Sequence, residues 1–95
     1  MAASTPVSAP KVLMYVAGWC PYCMRARSLL ESKGVAFEEI DVEAVPGARA
    51  EMRSRSGRSS VPQVFIGEYH VGGCEELQAL DAAGRLEPML KSTGA

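Results

Sequence analysis

No apolar run in this sequence approaches the ~18 residues that a membrane-spanning helix requires, so a membrane class is set aside. Charge of neither sign is in excess, with 10 basic residues against 11 acidic ones and a net charge of −1. Nothing global therefore calls for nucleic acid or an anionic lipid surface as a partner. Histidine occurs once, and the three cysteines cannot all pair within one chain, which argues against a framework of structural disulfides. At 95 residues the chain is too short for two domains and buries one modest core. Residues 1–10 have neither the basic start nor the apolar stretch of a secretory signal and read as a disordered leader. Residues 92–95 read as a disordered tail, which leaves 11–91 as the folded domain in a reducing, cytoplasmic setting.

What is present is ordinary globular usage, 47% hydrophobic and 22% charged, set out in short punctuated segments. Lys11 to Val16 is apolar and partly β-branched, which predicts a buried strand. Pro21 suits the first position of a helix, and Tyr22, Ala26, Leu29 and Leu30 recur at helical spacing until Gly34 closes it. Val35 to Val42 predicts a second strand touched on both faces. Pro46 opens a weaker helix with a thin stripe of Val45, Ala48 and Met52, ended by Ser56-Gly57. Pro62 to Ile66 and Tyr69 to Val71 flank Gly67-Glu68, the pattern of a hairpin with a II′ turn. Cys74 to Ala83 predicts a helix with Glu75 and Glu76 in its first turn and Gly84 past its end, and Pro88 starts one last turn. The order β-α-β-α-β-β-α makes the first two strands parallel through a right-handed crossover.

Cys20 and Cys23 stand three apart at the predicted strand-to-helix junction. There the unsatisfied N–H groups and the positive end of the helix dipole favour thiolate over thiol at the first cysteine. The second lies one turn on, where its sulfur can attack a mixed disulfide held on Cys20. The exposed first thiol is thus the nucleophile and the sheltered second one resolves, with Arg25 and Arg27 adding positive potential. A zinc site would have to recruit Cys74 and His70, and Pro21 between the cysteines and the lack of a second close-spaced pair count against it. Arg49, Arg53, Arg55 and Arg58 read by default as a solvated helix face, and His70 is assigned no role.

Three segments carry a family resemblance: Trp19-Cys20-Pro21-Tyr22-Cys23 before a helix, Ser60-Val61-Pro62 before a strand, and Gly72-Gly73-Cys74-Glu75 before another helix. In this order they resemble the signature segments of glutaredoxins, most of all the short bacterial members with a Cys-Pro-Tyr-Cys centre. The resemblance implies an α/β thioredoxin fold with a four-stranded mixed sheet flanked by helices, the fold that the element order reaches independently. It implies a monomeric thiol-disulfide oxidoreductase with Cys20 and Cys23 catalytic, glutathione as cosubstrate and no metal. Its partners would be glutathionylated proteins and protein disulfides, with glutathione reductase and NADPH behind the glutathione.

By the same resemblance Tyr22, Arg49, Ser60, Val61, Pro62, Gly73, Cys74 and Glu75 would bind glutathione. Pro62 would be cis, the backbone of Val61 would pair with the cysteinyl part as in an added strand, and Gly73, Cys74 and Glu75 would hold the γ-glutamyl end. Arg49 would reach the glycyl carboxylate. Two positions depart from the family's pattern. Ala17 stands where members commonly carry a base for the same carboxylate, and Trp19 is similar to the residue thioredoxins place there. They keep open a redoxin of this fold served by a thioredoxin reductase. A cluster carrier ligated by Cys20 and glutathione is a further alternative, disfavoured because Pro21 stiffens the loop.

Overall fold

The structure, a computed structural model, describes residues 11–91. The expected leader and tail lie outside the described residues. The elements are β1 (Val12–Val16), α1 (Pro21–Ser32), β2 (Glu38–Asp41), α2 (Ala48–Ser56), β3 (Gln63–Ile66), β4 (Tyr69–Gly72), α3 (Cys74–Ala82) and α4 (Leu86–Lys91). They form one mixed sheet of order β2-β1-β3-β4. β1 runs parallel to β2, with Leu13 opposite Glu38 and Val16 opposite Asp41. It runs antiparallel to β3, with Val12 opposite Ile66 and Tyr15 opposite Gln63. β3 and β4 form the expected hairpin, in which Ile66 pairs with Tyr69 across Gly67 at φ +62°, the positive φ that a Gly-first turn needs.

Helices cover both faces of this sheet, which is why β1 reads as an unbroken apolar run and β3 as one after Gln63. Val12, Met14, Val16, Val64 and Ile66 point to one face and pack with Ala26, Leu30, Leu77, Leu86 and Leu90 of α1, α3 and α4. Tyr15 and Phe65 point to the other and pack with Ala48 and Met52 of α2. Each fully buried Leu or Met on these faces contributes on the order of 1.5–3 kcal/mol. The second face also carries a polar device: Arg55 donates to the Tyr15 hydroxyl at 3.0 Å and lies over the Phe65 ring at 4.2 Å. Arg55 is exposed, as the sequence pattern predicts, but it is held by partners across the sheet rather than free in solvent.

Several boundaries differ from expectation for identifiable reasons. β2 begins at Glu38 rather than Val35 and lies at the sheet edge, yet its segment is touched on both faces as expected, with Val35 and Phe37 against the first cluster and Ile40 and Val42 in the second. α2 begins at Ala48, because Gly47 ahead of it takes φ +81°, and Val45 is exposed outside the stripe. In α1 the buried side chains are Cys23, Ala26 and Leu30, while Tyr22 points outward. α4 starts at Leu86, with Pro88 inside its first turn, where a missing N–H is tolerated. The glycines expected past α1 and α3 do close them: Gly34 and Gly84 take φ +72° and +75° and donate to Glu31 and Asp81 carbonyls at 3.0 and 2.9 Å.

Candidate active site

The N-terminus of α1 holds Cys20 as its capping residue, in an extended conformation at φ −152°. Its sulfur accepts the N–H of Cys23 at 3.1 Å, so a first-turn amide that no helical carbonyl could satisfy is aimed at it. Cys20 Sγ also lies 4.0 Å from the carbonyl of Val61 on the loop before β3. The expectation of an exposed thiol is only partly met: Cys20 is 9% accessible and Cys23 2%. The two differ in access in the predicted order, because Cys23 faces the sheet and Cys20 the loop. Burial first, then the hydrogen bond to Cys20, pushes the Cys23 thiol up to about 12. It therefore stays protonated at neutral pH.

The two arginines near the cysteines each have a partner of their own. Arg27 is held by Glu39, Nη2 to Oε1 at 3.1 Å, and its charge lowers the Cys23 thiol as the smallest of the causes acting there. Arg25 lies over the Tyr22 ring at 5.4 Å. Burial also raises the Cys74 thiol, against a lowering by Arg25.

Next to Cys20 is an open cleft of about 240 Å³. Tyr22, Ser60, Val61, Pro62, Gly73, Cys74 and Glu75 all line it, so every expected glutathione-contacting residue but Arg49 meets there. The Val61–Pro62 peptide bond is cis. A larger groove of about 550 Å³ along Lys11, Val35, Phe37 and Leu90 contains no thiol and lies off the cysteines. Chemistry, not volume, selects the smaller one. Its back wall is tied together by polar groups. Gln63, 1% accessible, donates to the carbonyl and hydroxyl of Ser60 at 3.0 and 3.4 Å, and its Oε1 meets His70 Nε2 at 2.7 Å. Because Ser60 O only accepts, the amide orientation is fixed and His70 Nε2 carries the hydrogen. Across the cleft the Glu76 carboxylate accepts the Gly73 N–H at 2.7 Å and pairs with Arg58 at 3.3 Å. The Gly73 bond, aided by Arg58, holds that carboxyl below the usual range.

Such an arrangement can pass a disulfide between an accessible sulfur and a sheltered one beside a cleft rich in backbone polar groups. The family model described as Glutaredoxin matches residues 12–71. The chain belongs to the glutaredoxin family. A glutaredoxin of Pseudomonas aeruginosa is 49% identical over 83 residues, covering 87% of this chain and 99% of that one. The solution structure of a Brucella melitensis glutaredoxin superposes with a TM-score of 0.78 at 52% identity, covering 92% of this chain and 95% of that one. The crystal structure of a buckwheat glutaredoxin–glutathione complex gives a TM-score of 0.79 at 30% identity, covering 87% and 77%. The thioredoxin fold and thiol-disulfide oxidoreductase chemistry follow from this membership.

Within this glutaredoxin, Arg49 is the one expected site residue that does not line the cleft. Its guanidinium contacts the Ser59 carbonyl at 3.4 Å and Glu43 at 3.9 Å instead. Sequence reasoning missed Gln63, His70 and Arg58, which support or line the cleft. Gln63 and His70 left no local signal, because each sits in an apolar strand where only the partner strand explains it. Glu76 was legible in principle: Gly-x-x-Glu at a helix start is the spacing at which a carboxylate reaches back to the capping residue's N–H.

Proposed function

We propose that this protein is a dithiol glutaredoxin that uses glutathione to reduce glutathionylated proteins and protein disulfides. The observation that carries the reading is the placement of Cys20 Sγ 4.0 Å from Val61 O, at the mouth of a cleft lined by Ser60, Pro62, Gly73 and Glu75. Glutathione would lie along that cleft, its cysteinyl backbone against Val61 and its γ-glutamyl end at Gly73, Cys74 and Glu75, with Tyr22 on the outer side. Arg58 adds a cation to the cleft wall, and Arg49 is the candidate for the glycyl carboxylate from outside it.

Cys20, as thiolate, attacks the glutathionyl sulfur of a mixed disulfide. The S–S bond to the protein's sulfur breaks, the protein leaves as thiolate and takes up a proton, and glutathione stays on Cys20. A second glutathione attacks that sulfur and departs as oxidised glutathione, which glutathione reductase and NADPH return to the thiol. This cycle uses one cysteine. With a protein disulfide, Cys20 attacks one sulfur and releases the other as a thiol. Cys23 then loses its proton and attacks the mixed disulfide on Cys20, freeing the second protein thiol, and the resulting Cys20–Cys23 disulfide is reduced by two glutathiones, which leave as oxidised glutathione. The high proton affinity of Cys23 supports this order, since it cannot compete as nucleophile until Cys20 is already bound. Such chemistry suits a reducing, cytoplasmic compartment and a monomer bounded by residues 11–91.

The test is reduction of a glutathionylated peptide coupled to glutathione reductase. Cys20→Ser should abolish turnover. Cys23→Ser should retain deglutathionylation and lose most reduction of protein disulfides. Turnover only when thioredoxin reductase replaces glutathione and its reductase would overturn the reading. Among the described residues no group of three or more His, Cys, Asp or Glu side chains is placed to hold a metal ion.

A further inference from the structure

The turn that follows β2 presents a carboxylate to the chain's own carboxylate-binding groups. Asp41 Oδ1 accepts the N–H of Glu43 at 2.8 Å, and the Asp41 carbonyl accepts those of Ala44 and Val45 at 3.1 and 3.0 Å. Glu43 is thereby fixed at its backbone. Its Oε1 lies 3.5 Å from the N–H nitrogen of Gly18, two residues before Cys20, and its Oε2 lies 3.9 Å from Arg49 Nη2. Arg49 in turn donates to Ser59, the neighbour of a residue that lines the cleft. A donor beside the nucleophile and a cation beside the cleft thus already share a carboxylate of the protein. Ala17 supplies no second cation next to them.

We propose that Glu43 is an internal competitor for the glycyl carboxylate of glutathione, and that it sets how strongly this glutaredoxin prefers the free tripeptide over thiols without that carboxylate. The proposal rests on the assignment of Arg49 to that carboxylate under the proposed function. An incoming carboxylate at Arg49 must either displace Glu43 or sit beside a like charge. Both groups are substantially exposed, so the effect is modest, about two- to fivefold in relative affinity.

The experiment needs a loaded protein and not turnover. In a Cys23→Ser background Cys20 is converted to its mixed disulfide with oxidised glutathione, which releases one glutathione. The adduct is then equilibrated with the glycyl ethyl ester of glutathione. Each exchange breaks one S–S bond and forms another, with one thiol released for each consumed and no net oxidation. Intact-mass spectrometry reads the ratio of the two adducts. The parent should discriminate less than twofold, and adding Glu43→Gln should shift the ratio two- to fivefold toward the free acid, an effect that shrinks at high salt. Glu51→Gln, the same charge change in the first turn of α2, should leave the ratio unchanged. An unchanged ratio in Glu43→Gln, or an equal shift in Glu51→Gln, would overturn the proposal. Failure of glutathione-dependent turnover would instead strike the proposed function, because the exchange equilibrium is measured without it.

Discussion

Replacing Gln63 by Leu removes the polar tie between His70 and the loop that carries Val61. The side chains are close in volume, so the change is chiefly in hydrogen bonding. Two well-formed bonds are lost, to Ser60 O at 3.0 Å and from His70 at 2.7 Å, together with a longer contact to the Ser60 hydroxyl. Each such bond contributes about 0.5–1.5 kcal/mol net, and Ser60 is exposed enough for water to take over its carbonyl. Leu at a buried site returns part of the loss through apolar burial. The expected destabilisation is about 1–2 kcal/mol, or ~4–8 °C in Tm per kcal/mol for a domain of this size. Gln63→Glu should be worse at pH 7, since it sets an acceptor against the Ser60 carbonyl. Because Ser60 precedes Val61, whose carbonyl lies 4.0 Å from Cys20 Sγ, Gln63→Leu should also raise the KM for a glutathionylated peptide more than it lowers kcat. Thermal melts and the coupled reductase assay measure both quantities. A Tm within 1 °C of the parent, taken as roughly a quarter of the smallest expected shift, would refute the energetic argument. An unchanged KM in a destabilised variant would refute the link to the site.

Other outcomes follow from single features. Cys23 has its thiol pushed up to about 12, so the protonated form is favoured by the fold. That contribution is whole below the unfolded value near 9 and is lost as pH rises toward 12, so the reduced protein should lose stability across this window and Cys23→Ser should blunt the loss. Glu76 has the opposite sign: its carboxyl is held low, so its contribution is present above about 4.5 and lost as pH falls through the folded value. Glu76→Gln should flatten that acid arm in thermal melts at pH 3 to 5, at a cost of about 0.5–1 kcal/mol near neutrality for a weakened helix start. Gly72→Ala should destabilise by ~1–3 kcal/mol, because φ +117° is strained for Ala and the new Cβ would stand 3.0 Å from the Glu76 carboxyl carbon. Gly34→Ala, with φ +72° and open space around it, should cost the least of the two in the same melts.

The segments that the sequence itself determined are those whose signal is local. Strand and helix order, the hairpin at Gly67, the closing glycines of α1 and α3, and Cys20 at a helix start each follow from periodicity or from a residue's own backbone preference. The three signature segments carried the family, and with it the grouping of Tyr22, Ser60, Val61, Pro62, Gly73, Cys74 and Glu75. What only the tertiary structure decided depends on residues far apart in the chain. β2 became an edge strand because α1 returns it outside β1, which no count of its apolar residues could show. Gln63 and His70 found each other through strand pairing, and Arg55, while still exposed, found partners in Tyr15 and Phe65 on β1 and β3. Arg49 met Glu43 rather than the cleft because a guanidinium on a flexible stem takes the nearest acceptors, and those are supplied by the turn after β2 and the loop before β3. Backbone preference is written residue by residue, whereas the partner of a long polar side chain is fixed only when distant segments are brought together.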